Sequence, residues 1–136
     1  MQRKIILFAS AISLALGHAA SAQQPSAATA ETSLYSEMWA LAGVCNQLAG
    51  YRVEQDTLAA FLNDQRNGVD EEIWRTVAQG RAARLDTIED EVARIRALPR
   101  GFARQHAVDE NAANLMSRCN RLSNSDTAGR FFRRAG

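Results

Sequence analysis

Cys45 and Cys119 are the only cysteines of the 136-residue chain, and both fall on apolar stripes with helical spacing. Leu34, Met38, Leu41, Cys45 and Leu48 follow the i, i+4, i+7 recurrence of a single buried helix face. Val108, Ala112, Leu115, Cys119 and Leu122 repeat that pattern near the other end of the chain. In an exported protein such a pair is expected to be a disulfide, because an oxidising compartment disfavours two buried free thiols. Closing a loop of 74 positions stabilises a fold by roughly 4 kcal/mol in the chain-entropy model. A redox role fits less well, since the chain has no Cys-x-x-Cys and thiols on a buried stripe are poorly accessible.

Export is read from the first residues. Residues 1–22 have the layout of a cleavable secretory signal, with Arg3 and Lys4 as its positive region and residues 5–16 as an uncharged, largely apolar run. Ala20, Ser21 and Ala22 supply the small side chains that a signal peptidase accepts, so cleavage is expected near Ala22. The run is shorter than the ~20 residues a transmembrane helix needs. The expected location is therefore the periplasm or the exterior. Lys4 is the only lysine, and the remainder of the chain carries 14 Arg against 15 acids. Three of those arginines lie in the last seven residues, which leaves an acidic body with a basic end. Nucleic-acid binders show a basic stripe on the folded domain instead, so nucleic acid is not an expected partner. Lysine Schiff-base chemistry is likewise excluded after cleavage. Two His and two Cys are too few for a zinc ribbon or a cysteine-held iron–sulfur cluster. No metal or cofactor is expected.

The rest of the chain reads as all-α. Residues 23–32 are small and polar and are expected to be a disordered lead-in. A first long helix is expected over 33–49, capped by Ser33 and ended by Gly50. A short connecting helix over 54–66 carries Leu58, Phe61 and Leu62 and stops at Asn67 and Gly68. A second long helix over 70–98 starts at Asp70 and carries Trp74, Val77, Leu85, Ile88, Val92 and Ile95, ending before Pro99. A third covers 103–122, and residues 123–136 are expected to be a flexible basic tail. The result is a small helical bundle of three long helices, with a single domain over 33–122 tied by Cys45–Cys119. Each cysteine lies in the C-terminal half of its helix, so an up-down-up arrangement with parallel first and last helices would bring them level.

Few residues point to chemistry. His106 is the only histidine left after cleavage, with Asp109 three residues on, but no motif places a nucleophile beside it. Asp86, Glu89 and Asp90 share a helix face, where a solvated acidic surface is the simpler reading than a cation site. Arg81 falls inside the apolar stripe between Val77 and Leu85. It either snorkels past its neighbours or pairs with a carboxylate such as Glu54 or Asp56, or with an anionic ligand. Tyr35 and Trp39 lie on a second face of the first helix, together with Gly43 and Asn46. Either the short helix covers them, Gly43 permitting close approach, or they anchor a partner protein. In the tail, Arg130, Phe131, Phe132, Arg133 and Arg134 mix cations and aromatics, a composition suited to acidic partners or anionic lipid. These features favour a small exported interaction or accessory protein that acts on another envelope protein through a surface, without catalysis. An acid-responsive envelope chaperone is the alternative, its apolar stripes exposed as carboxylates neutralise. A small hydrolase using His106 is the third reading.

Overall fold

The computed structural model describes residues 27–136. The expected signal, residues 1–22, and the first part of the expected lead-in lie outside the described residues. The remainder of that lead-in is helical. Helix α1 spans Ala27–Gln47, because Ala27, Ala28 and Ala30 are strong helix formers and nothing between them and Ser33 breaks the helix. Strand β1 (Tyr51–Val53) follows, then α2 (Gln55–Asn67), α3 (Glu71–Ala97) and α4 (Phe102–Ser123). A 3-10 turn at Ala128–Arg130 leads into strand β2 (Phe132–Arg134). The chain is mostly helical, and Cys45 and Cys119 form the disulfide with Cα atoms 5.7 Å apart.

Helices α1 and α3 pack antiparallel and closely. Arg84 reaches Ser33, the hydroxyl of Ser36 meets the carbonyl of Val77, and Trp39 stacks on Trp74. Close approach is possible because Gly80 faces Ser36: a Cβ at Gly80 would stand 2.5 Å from the Ser36 hydroxyl oxygen. Ser36 is itself buried, 2.9 Å from the carbonyls of both Thr32 and Val77, so one hydroxyl proton serves both. Helix α4 meets α1 differently. Arg118, Arg121 and Leu122 gather with Ser33, Leu34 and Glu37, whereas Ala113 and Met116 gather with Gly50 and Tyr51. The Cys45–Cys119 disulfide ties the two helices together, with Cα atoms close enough for the level placement expected of the pair.

The core holds Met38, Leu41, Cys45, Leu58, Leu62, Cys119 and Leu122, closed at one end by Val53, Phe131 and Phe132. The C-terminal segment is therefore structure and not tail. Phe132 is 1% exposed, opposite Val53 in the antiparallel pair β1–β2, whose other partners are Arg52 with Arg133 and Tyr51 with Arg134. Flanking hydrogen bonds fix the register, from Glu54 N to the Phe131 carbonyl and from Ala135 N to the Gly50 carbonyl. Gly50, at φ +88°, makes the left-handed turn that admits the strand. Beyond the core, the second half of α3 and the first half of α4 project as a hairpin in which Ile95 and Ala107 are buried. Val108, expected inside, is 42% exposed; Ala107 takes the inward position.

Candidate functional site

Two side-chain assemblies dominate the base of the molecule. The first is a groove of about 320 Å³ between α1, α2 and the start of α3. Trp39 and Ala42 form one wall, Leu58, Ala59 and Leu62 the other, and Trp74 closes one end, with Gln55, Asn63 and Arg66 around them. The two indoles stack with centroids 5.6 Å apart. Arg81 sits on the same platform, its guanidinium carbon 4.5 Å from the centre of the Trp39 ring. Its place inside the α3 stripe explains that position, since the side chain must run along apolar surface before it can reach a polar surrounding. Of the alternatives for Arg81, the pairing with Glu54 or Asp56 is not formed. Glu54 pairs with Arg52 at 3.6 Å, Asp56 is exposed at the start of α2, and the buried Nε of Arg81 has no hydrogen-bond acceptor. The α2 side chains that line the groove are Gln55, Leu58, Ala59, Leu62, Asn63 and Arg66, with no carboxylate among them.

Tyr35 lies one turn before Trp39 and is held by α2. Its ring meets Phe61 edge-on at 5.8 Å, and its hydroxyl donates to Gln65 Oε1 at 3.2 Å. Burial pushes the Tyr35 phenol above its ordinary pKa, and the nearby Glu31 charge adds to the effect. Helix α2 thus covers Tyr35 but leaves Trp39 half-buried at the groove. Gly43 plays no part in a close approach, because a Cβ there would meet nothing within 4 Å. Asn46 instead accepts a hydrogen bond from Val53 N at 3.0 Å and so holds β1 against α1.

The second assembly is centred on Glu37, which the sequence does not single out. Arg118 grips its carboxylate through Nε at 2.7 Å and Nη2 at 2.8 Å, and Arg84 Nε donates at 2.8 Å. Burial alone would raise the Glu37 pKa, but the Arg118 hydrogen bonds and charge, followed by those of Arg84, bring it below the ordinary carboxylate value. The hydrogen bond to Glu37 raises Arg118 against the opposing effect of burial. With both guanidiniums satisfied, the triad ties α1, α3 and α4 together as a structural link.

The remaining candidates are dispersed. His106 is exposed on the hairpin beside Phe102, with ring centroids 6.4 Å apart. Asp109, its sequence neighbour, accepts from Gln105 Nε2 at 3.0 Å. Asp86, Glu89 and Asp90 stand exposed on α3, and among the described residues no group of three His, Cys, Asp or Glu side chains gathers around a common point. Phe131 and Phe132 are withdrawn into the core and cannot serve as tail contacts. Arg130 lies over the Phe61 and Phe131 rings at 5.5 and 5.4 Å, while Arg133 and Arg134 remain exposed.

The fold is a disulfide-tied helical domain with an aromatic-lined groove. Comparison with known protein families, curated proteins and solved structures finds no match to this chain. Its disulfide is compatible with export, and among the described residues no helix is long and apolar enough to cross a membrane.

Proposed function

We propose that this protein is an exported, periplasmic interaction protein without catalytic activity, whose Trp39–Trp74 groove receives an apolar segment of another envelope protein. The observation that carries this reading is the groove itself. Stacked indoles and leucines form a concave apolar surface that no other part of the described chain fills. Aromatic and arginine side chains in such pockets are the groups that most often carry protein–protein binding energy. The dispersed positions of His106 and the acidic face favour a binding surface over hydrolysis.

Site-specific photo-crosslinking tests the proposal. A photoreactive side chain in place of Ala59, on the groove wall, is expected to capture a discrete partner in cells. The same group in place of Asp86, on the exposed face of α3, is not. Substituting Trp39→Ala in the Ala59 probe protein should abolish the adduct. Identical adducts from both positions, or an adduct indifferent to Trp39→Ala, would count against the groove.

A further inference from the structure

The hairpin formed by α3 and α4 ends in a turn at residues 98–101, far from the groove. Trp74 to Ala97 is 24 residues of helix, roughly 35 Å at the usual rise. At this tip Phe102 is 89% exposed, the most exposed large apolar side chain of the described residues. Gly101, at φ +141°, supplies the turn that a side-chain-bearing residue would strain to make and that starts α4 at Phe102. Around the ring every charged residue in the sequence is an arginine. Between Glu91 and Asp109 there is no acid, while Arg94, Arg96, Arg100 and Arg104 fall in that interval. Arg94 is bound to Glu91 at 2.6 Å. Among the described residues Arg96, Arg100 and Arg104 make no ion pair, and Arg100 and Arg104 line a shallow hollow together with Gly101, Gln105 and the half-exposed Val108.

A body with more acids than arginines thus carries an acid-free cationic apex crowned by an exposed aromatic ring, with His106 stacked beside it. Nothing about the folding of the domain requires it, since Phe102 contributes little burial. We propose that this tip docks on an anionic phospholipid surface. Phe102 enters the interfacial layer, and the guanidiniums of Arg96, Arg100 and Arg104 hold headgroup phosphates. The shape of the apex selects this occupant. A convex apex needs a matching cavity on a protein partner, whereas a headgroup layer yields to an inserted ring. Guanidinium pairs bidentately with phosphate oxygens, and each cation near an anionic bilayer strengthens partition about five-fold. The proposal is independent of the groove, which lies at the other end of the hairpin.

Cosedimentation with lipid vesicles tests it. The oxidised chain over residues 23–136 is expected to pellet with vesicles of phosphatidylcholine containing phosphatidylglycerol, to stay in solution with pure phosphatidylcholine, and to be released by high salt. Arg100→Ala and Arg104→Ala should each weaken partition about five-fold, and Phe102→Ser about ten-fold through lost apolar insertion. Phe102→Leu should retain most of the binding. These side chains are peripheral, so the circular dichroism of each variant should match that of the parent. No pelleting with the anionic vesicles, or equal pelleting with the neutral ones, would overturn the proposal. So would a loss on Arg133→Ala/Arg134→Ala equal to that of the tip variants, because it would move the contact to β2.

Discussion

Glu37 shows how one residue can organise three helices. Its carboxylate is the common acceptor for Arg84 and Arg118, so Glu37→Gln leaves two partly buried guanidiniums facing each other without a counter-charge. A loss of about 2–3 kcal/mol is expected, measurable by urea denaturation at neutral pH. The sign of the pH dependence follows from the lowered pKa. The unfolded state binds the proton more readily than the folded one. The contribution is therefore fully present above the unfolded carboxylate value, about 4.3, and is lost as pH falls through the lower folded value. The melting temperature of the parent should drop more steeply than that of Glu37→Gln on acidification below pH 5. Equal slopes would show that the triad is not the acid-sensitive link. At Gly80 two effects oppose each other. Alanine improves helix propensity by about 1 kcal/mol, but its methyl group would lie 2.5 Å from the buried Ser36 oxygen. The clash is expected to win, giving a net loss of about 1–2 kcal/mol for Gly80→Ala. Neither residue stands out in the sequence. Glu37 lies off the apolar stripe of its helix, its two partners are 47 and 81 residues away, and only the packing of α3 and α4 on α1 brings the three together.

At the scale of elements, the helices were legible because their apolar periodicity is sustained over several turns. The limits of α2, α3 and α4 fall within one residue of those expected from caps and breakers. The strands were not legible. Each has three residues, too short for a two-residue alternation to register, and the pairing joins positions 51–53 to 132–134 across almost the whole described chain. The same shortness made Phe131 and Phe132 read as a basic–aromatic tail. Their neighbours are charged, and what buries the rings is an element remote in sequence. The structure makes the segment a plug in the core, with a direct consequence. Phe132→Ala is expected to cost about 3–5 kcal/mol, as much as losing a central helix residue, whereas Arg133→Ala should change stability by less than about 0.5 kcal/mol. Thermal melts of the two variants distinguish a plug from a tail, since a tail would leave both near the parent value. The groove belongs partly to this level too. The positions of Tyr35, Trp39 and Arg81 on helix faces single them out, but the periodicity marks Trp74 only as core, because its stacking on Trp39 depends on the closeness of α1 and α3.

The whole molecule has two ends with different cohesion. The base holds the disulfide, the Glu37 triad, the strand pair and the groove, whereas the outer half of the hairpin rests on a thin strip around Ile95 and Ala107. Cross-linking acts on the closed loop between Cys45 and Cys119, which contains all of α3 and most of α4. Cys45→Ser/Cys119→Ser should therefore lower stability by about 4 kcal/mol, or about 15–30 °C in Tm for a domain of this size. The two ends should respond differently. Both tryptophans of the chain lie in the groove, so their emission reports on the base alone and should shift to the red as the double variant melts. Hydrogen exchange should find the amides of the outer hairpin opening at lower free energy than those around Cys45 in the parent. In the double variant the protection near Cys45 should fall, while that of the outer hairpin changes little, because its opening never required the base to come apart. If the two regions lost protection equally, the base and the hairpin would be one cooperative unit, and the tip could not move independently of the groove.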